Sequence, residues 1–457
     1  MTLPPVMPKK QALEHSSSKK IGYNAAWLIA EKVFQVIQGI FVNAMVARYL
    51  QPEQYGTLAF SLSIIGMLGM FARFGMEQAV VQNVASRTLN PSTILNKACR
   101  ISTILGLLCL LIVVSISHWI QDKTLSSVLI ILSFSLIDQI GTIYRLGFQA
   151  FLESRLLIPV YISVSLAFAI VQLLLVIFRF PIYGFAVSFV LSQYTSSFVT
   201  FFFYQRDLKR RMDLSLPNLS YKILLKQSFP LFLNSIIGFL YTNLDRIMLG
   251  SLSSLDEVGM YAVASKIFES LFFIPTVLIV SLSPRLALEA GGHKKVNDYT
   301  FLTAGSTLAF IALITMFLTI GIGPFTISLL YGSKFNQSAY VLIVLSLCLL
   351  PLSIGRLRNA SWVAQGDEMK VLYTSILGLT VNASLNFLLI DKFGSVGAAL
   401  GTFLAFMTAF WLGGYMISST REIANLQTRA ILSVFSKRFL DSSLLRVYSF
   451  LNLRLKS

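Results

Sequence analysis

Apolar residues in this chain run in long stretches rather than in the narrow periodic stripe of a soluble amphipathic helix. A helix needs about 20 predominantly apolar residues to cross the hydrocarbon core of a bilayer. Twelve stretches meet that length: 22–46, 56–76, 99–119, 125–147, 156–178, 181–204, 227–250, 258–282, 299–330, 337–357, 371–390 and 394–418. The stretch at 299–330 is longer than one crossing requires, and its GIGPF sequence marks an expected tilt or break. The pattern predicts an all-α polytopic membrane protein with 12 transmembrane helices.

Composition agrees with the pattern. Of 457 residues, 55% are hydrophobic and 12% charged, against roughly 25% charged in soluble domains. The formal net charge of +17 would suggest nucleic acid in a soluble protein. Here its placement points elsewhere, and no nucleic-acid partner is expected. With both termini cytoplasmic, the inner segments hold 25 of the 37 Lys and Arg, and the outer loops hold five: Arg48, Lys123, Arg179, Lys334 and Lys392. That bias fixes orientation by the positive-inside rule. The first apolar run lacks a small-residue cleavage site and is expected to stay as a span. Cys99, Cys109 and Cys348 lie in or beside apolar segments and suggest neither a disulfide framework nor a metal pair. The outer loops are about ten residues or shorter, too small for an external catalytic loop. With no paired carboxylates, metal cluster or phosphate-binding glycine loop in view, the expectation is a protein that is not an enzyme and carries no cofactor, catalytic residue or metal.

The expected organisation is a basic cytoplasmic N-terminus (1–20), a six-helix bundle (21–204), a basic cytoplasmic linker (205–226), a second six-helix bundle (227–418) and a basic amphipathic tail (419–457). The tail is expected to lie as helix on the inner leaflet, its Lys and Arg facing anionic membrane lipid. The halves share a pattern. At an offset of 203, Glu53 matches Asp256, Gly56 matches Gly259 and Ala59 matches Ala262. Near the sixth span of each half, Phe180, Gly184 and Ala186 match Phe393, Gly397 and Ala399. Six spans per repeat keep its orientation, so the two bundles are parallel repeats around a central cavity, as in many transporters.

Ionisable residues inside apolar segments are functional candidates, because each costs roughly 2.5–3.5 kcal/mol on insertion scales unless it finds a partner or water. The cations are Lys32, Arg73, Arg145, Arg246, Lys266, Arg356 and Arg358, and the acids Glu31, Asp138, Asp245 and Glu269. Arg73, Arg145, Arg356 and Arg358 fall near inner span ends and are placed to snorkel to the interface. Lys266 and Glu269, three apart, share a helix face and can pair. Asp245 and Arg246 are adjacent, point about 100° apart, and each needs a partner on another helix or a wet cavity. The excess of cations favours an anionic substrate over a cationic drug. Lys266, Arg246, Lys32 and Arg73 are the substrate-binding candidates. Asp245, Glu269, Glu31 and Asp138 are the candidates for coupling to an ion or balancing charge.

The runs NLDRIMLGSLSSLDEVGMYAVASKIFESLFFIPTVLIVSLSPRLA (243–287) and MVARYLQPEQYGTLAFSLSIIGMLG (45–69) resemble segments of polysaccharide-type flippases of the multidrug/oligosaccharidyl-lipid/polysaccharide exporter superfamily. The resemblance covers most of the first 418 residues. It implies translocation of undecaprenyl-pyrophosphate-linked oligosaccharide across a bacterial cytoplasmic membrane by alternating access, for O-antigen or exopolysaccharide synthesis, with polysaccharide polymerase machinery as a further partner. In the related lipid II flippase a basic residue is followed three later by Glu on the equivalent helix. Lys266 and Glu269 match that pattern with Lys in place of Arg, a point charge in place of a bidentate fork. The alternatives are a drug or cation exporter of the same superfamily, and a membrane-embedded polysaccharide polymerase or ligase.

Overall fold

The computed structural model describes residues 9–212, 215–290, 297–416 and 420–436. Among them every regular element is helical. Helix α1 (Lys9–Arg73) is followed by α2 (Met76–Ala85), α3 (Pro91–Ser117), α4 (Lys123–Ser133), α5 (Ile140–Ala150), α6 (Ile158–Ile177), α7 (Ile182–Phe203) and α8 (Tyr221–Leu252). Then come α9 (Leu255–Leu271), α10 (Phe273–Ala290), α11 (Asp298–Tyr331), α12 (Gln337–Leu347), α13 (Leu349–Ala364), α14 (Glu368–Met407), α15 (Gly413–Met416) and α16 (Arg421–Ser433). Polar caps open several of them: Asn90 accepts from the Thr93 N–H ahead of Pro91, Asp122 from those of Thr124 and Leu125, Ser254 from that of Glu257, and Asn297 from that of Tyr299.

Eight helical segments among the described residues are long and apolar enough to cross a membrane, or ten if each of two bent pairs makes one span. The chain is a multi-pass membrane protein. Two of the eight, Glu31–Arg73 and Glu368–Met416, each take in two of the stretches read from the sequence. They are broken inside, at Gln51 (φ 66°, ψ 170°) before Pro52, and at Gly394 (φ 54°, ψ −132°). Only glycine occupies the second of these without strain. Two further stretches read as single spans are bent by 41°: α4 against α5 around residues 137–139, and α9 against α10. The expected break at GIGPF is absent, since α11 runs through Pro324 as one helix. Lipid-facing surface is plain on α3 and α6, where Leu107, Leu108, Leu111, Ile112, Ile170, Leu174 and Ile177 are all exposed.

The chain forms two compact units. The first takes the residues up to Tyr49 and Ser61–Phe239, and the second Leu50–Phe60 and the residues from Leu240 onward. In the first, Met76, Ile94, Leu95, Ile143, Phe148 and Tyr204 form a buried core. In the second, Phe301, Leu308, Leu357 and Leu286 form another.

Within the second unit the glycines matched by the sequence repeat meet each other. A Cβ on Gly56 would lie 1.7 Å from the Leu255 carbonyl oxygen and 2.8 Å from the Gly259 nitrogen. One on Gly259 would lie 2.2 Å from the Pro52 carbonyl oxygen. Two helix backbones touch here, as only small residues allow. The second matched pair differs: a Cβ on Gly397 would strike the Leu389 carbonyl oxygen at 2.3 Å, whereas Gly184 faces only side chains.

The described part of the tail is not only a surface helix. Ala424, Gln427 and Ala430 of α16 are fully buried. Gln427 donates to the Phe410 carbonyl, in a π-helical turn at Thr408–Leu412 where the ordinary helical acceptor pattern is interrupted. Residues 437–457, the rest of the expected amphipathic tail, and 1–8 of the expected basic N-terminus lie outside the described residues.

Candidate functional site

Among the described acids of the second unit Asp245 is the most enclosed, 3% exposed on α8. It does not open onto a wet space. Its Oδ2 accepts from the Tyr261 hydroxyl at 2.5 Å and from Thr402 Oγ1 at 2.8 Å. Its Oδ1 accepts from Asn386 Nδ2 at 2.7 Å and Asn382 Nδ2 at 3.1 Å. Tyr261 comes from α9, and the two amides and Thr402 from the two arms of α14 on either side of Gly394. The break at Gly394 folds the second arm back, so a threonine 20 residues from Asn382 joins the same cluster (Asn382 Nδ2 to Thr402 Oγ1, 3.4 Å). All four donors are neutral. Hydrogen bonds to a charged group are worth ~1.5–3 kcal/mol each, enough together to offset the cost of a carboxylate at this depth. Asn386 Oδ1 is buried with no hydrogen-bond partner. The cluster is therefore oxygen-rich: one carboxylate, two amide oxygens within a side-chain rotation, and two hydroxyls. That is the donor set of a hard monovalent cation or of a proton. Among the described residues no group of three or more His, Cys, Asp or Glu is placed to hold a metal ion.

Arg246, the next residue, turns away from Asp245 as its helical position requires. Its Nη2 donates to Ser265 Oγ at 2.7 Å and to Glu269 Oε1 at 3.1 Å, and Nη1 to Asn243 Oδ1 at 3.4 Å. Glu269 thus pairs with Arg246 across α8 and α9, and not with Lys266 on its own helix. The three-residue spacing permits the local pair, but a guanidinium on the facing helix reaches both Glu269 and Ser265 through one nitrogen, Nη2. Lys266 is half-buried and makes no hydrogen bond or ion pair among the described residues. The Arg246–Glu269 pair is accessible, with the acid half exposed (17% and 50% for the two side chains).

Arg358 corrects the expectation that it snorkels. It is fully buried. Its guanidinium lies 4.2 Å over the Trp362 ring and donates to the Ala409 carbonyl at 2.8 Å and to Asn359 at 3.1 Å. The π-turn frees that carbonyl, and the arginine occupies it. Arg356, two residues away, is exposed and stacks at 4.6 Å on Phe272.

In the first unit Glu31 is 3% exposed and paired with Arg145 (2.9 and 3.2 Å to its two oxygens). Gln35 Nε2 also donates to it, at 3.1 Å. Arg145 stacks at 4.3 Å on the Tyr161 ring. Arg73 pairs with Glu77 at 2.9 Å, one turn on. Lys32 is exposed and makes no hydrogen bond or ion pair among the described residues. Asp138 sits at the bend between α4 and α5, where its Oδ2 accepts from Ser197 at 2.6 Å. The structure thus joins Arg246 with Glu269 and Glu31 with Arg145. It leaves Lys266 and Lys32 as cations without an acid. It also surrounds Asp245 with Tyr261, Asn382, Asn386 and Thr402, none of which carries a charge that the sequence would flag.

Residues 45–340 match the model of a family described as polysaccharide biosynthesis protein. Among curated proteins the chain is similar to a capsular polysaccharide biosynthesis protein, CapF, of Staphylococcus aureus, at 23% identity over 82% of this chain and 94% of that one. It is also similar to a probable low-salt glycan biosynthesis flippase, Agl15, of Haloferax volcanii, at 24% identity. That alignment covers 41% of this chain and only 40% of the flippase. Of solved structures, lipid II flippase MurJ in an inward closed conformation superposes with a TM-score of 0.70 at 16% identity, over 93% of this chain and 97% of the other. Multidrug transporters with the same fold are known in inward-facing and outward-facing conformations.

Proposed function

Because the chain belongs to the polysaccharide biosynthesis protein family, we propose that it is a flippase. On this reading it moves polyprenyl-pyrophosphate-linked oligosaccharide units across the cytoplasmic membrane by alternating access for surface polysaccharide synthesis, with both termini cytoplasmic. The observation that carries the reading is the likeness to a capsular polysaccharide protein over 82% of this chain and 94% of that one. The charge pattern supports it. Lys266 stands without an acid, and Arg246 is held by a half-exposed glutamate that an incoming anion can displace. A pyrophosphate arriving at this face of α8 and α9 exchanges a carboxylate partner for a more highly charged one. Arg246 and Lys266 are the pyrophosphate-binding groups in this scheme, and Lys32 and Arg73 the cations of the first unit. Asp245 is the group that takes up the coupling ion, held ready by Tyr261, Thr402 and the two asparagines. Glu269, Glu31 and Asp138 balance charge in the empty state. A drug or cation exporter of the same superfamily would favour uncompensated acids at an accessible face, and the most exposed of the candidate acids, Glu269, is matched by Arg246.

Deletion of the gene tests the reading. Surface polysaccharide should be lost while complete lipid-linked repeat units accumulate on the cytoplasmic leaflet. Complete units that reach the outer face but stay unpolymerised would reassign the protein to polymerisation.

A further inference from the structure

The first unit contains a cleft of about 490 Å3, within the range of small-ligand sites (~300–1,000 Å3). Its wall includes Gln35, Glu77, Thr142, Arg145, Gln149 and Gln193, from α1, α2, α5 and α7. Both formal charges in that group already have opposite partners. Arg145 is bound by Glu31 at 2.9 Å, and Glu77 by Arg73 at 2.9 Å. The cleft is therefore polar without net charge, unlike the face that carries Arg246 and Lys266. Gln35 is likewise committed, to Glu31 at 3.1 Å, but three polar groups of the wall are not. Thr142, Gln149 and Gln193 make no hydrogen bond among the described residues, and both of these glutamines are exposed. The serines of α7 differ. Ser192 and Ser196 are tied to carbonyls of their own helix, and Ser197 to Asp138.

Two glutamines and a threonine with all donors and acceptors unspent are costly ornaments on apolar helices unless they meet water or a ligand. A side-chain amide offers a donor and an acceptor a short distance apart, which matches the hydroxyls of a sugar ring. Here, unlike at Arg246, the acid is buried (Glu31 side chain 4% exposed, against 50% for Glu269), so an anionic ligand does not readily displace it from Arg145 and would meet Glu77 as well. We infer that this cleft binds the uncharged saccharide portion of a lipid-linked glycan, Thr142, Gln149 and Gln193 hydrogen-bonding its hydroxyls, while the pyrophosphate is held elsewhere. The inference rests on the flippase reading above. It makes α5 and α7 of the first unit the elements that choose among glycans.

The test compares two probes on the purified full-length chain: bare undecaprenyl pyrophosphate, and lipid-linked oligosaccharide extracted from cells lacking the gene. Wild-type protein should bind the second more tightly. Gln193→Leu and the isosteric Thr142→Val should each weaken binding of the glycan-bearing probe by roughly three- to tenfold, while changing affinity for the bare carrier by less than about twofold. Equal weakening toward both probes would place these residues on the carrier path and overturn the proposal. So would unchanged affinity for both, or a wild type that prefers neither probe. A wild type that binds neither probe would instead overturn the flippase reading itself. If Gln193→Leu loses the wild-type thermal transition, Thr142→Val, which keeps side-chain volume, decides alone.

Discussion

Asp245 shows how one residue type changes meaning with its surroundings. A lone carboxylate within a span costs about 2.5–3.5 kcal/mol, and here four neutral donors hydrogen-bond its two oxygens. None of these four partners is basic, so an arriving cation meets no rival positive charge within the cluster. If it takes a monovalent cation, sodium chloride should raise the thermal midpoint relative to choline chloride by about 1–5 °C at saturating ion. Asp245→Asn and Thr402→Val should both abolish the rise. A rise that persists in Asp245→Asn would show that the cation binds elsewhere. A wild type that responds to neither salt nor an acid-to-neutral pH series would remove Asp245 from the coupling step. The charge itself was legible in the sequence, because an acid in an apolar run stands out. Its partners were less so. Tyr261 and Thr402 read as ordinary helix residues, and they lie 16 and 157 positions away. The one available signal was Asn382 with Asn386, two amides four apart and therefore on one face of an apolar helix. The Lys266–Glu269 pairing failed for a related reason: spacing reports which neighbours are possible on one helix, and a stronger donor on the facing helix is invisible to it.

At the scale of helices, the close crossing of Gly56 and Gly259 gives the sequence repeat a physical meaning. The repeat matched glycines because each half needs a bare backbone at the same point after its first span. Gly56→Ala would place a methyl group 1.7 Å from a carbonyl oxygen. The helices must separate to accept it, at a cost at or beyond the ~1–3 kcal/mol of ordinary overpacking. Gly321→Ala on α11, where an added Cβ meets nothing within 4 Å, should be neutral or stabilise by up to ~1 kcal/mol through helix propensity. Thermal unfolding in detergent should therefore show a large loss for Gly56→Ala and none for Gly321→Ala. Similar midpoints for the two variants would refute the close crossing. The apolar stretches themselves were easy to read, since hydrocarbon demands helices and a minimum length. Their breaks were not. Gln51 leaves helical geometry beside a proline, a legible cue, whereas the bend around 137–139 has neither glycine nor proline, and Pro324 sits in a helix that does not break.

For the molecule as a whole, the uneven distribution of Lys and Arg predicts an orientation, and orientation decides which leaflet each candidate cation serves. On the expected topology with both termini cytoplasmic, 25 cations fall inside against five outside, a large bias for short loops, and each extra positive charge resists translocation. α8 and α9 meet at Ser253 and Ser254, and on the expected topology this connection, beside Arg246, faces outward with Lys334 and Lys392. Cysteine labelling in intact cells measures this directly. With Cys99, Cys109 and Cys348 first replaced by serine, single Lys123→Cys, Lys334→Cys and Lys392→Cys variants should react with a membrane-impermeant maleimide from outside. Arg155→Cys and Arg206→Cys should react only after permeabilisation. The opposite pattern would invert the molecule and put Arg246 at the cytoplasmic face, making it a loading site for pyrophosphate rather than a release site. A mixed pattern, with Lys123 and Lys334 on different sides, would mean an odd number of crossings between them. The expectation of two parallel repeats of six spans each would then fail.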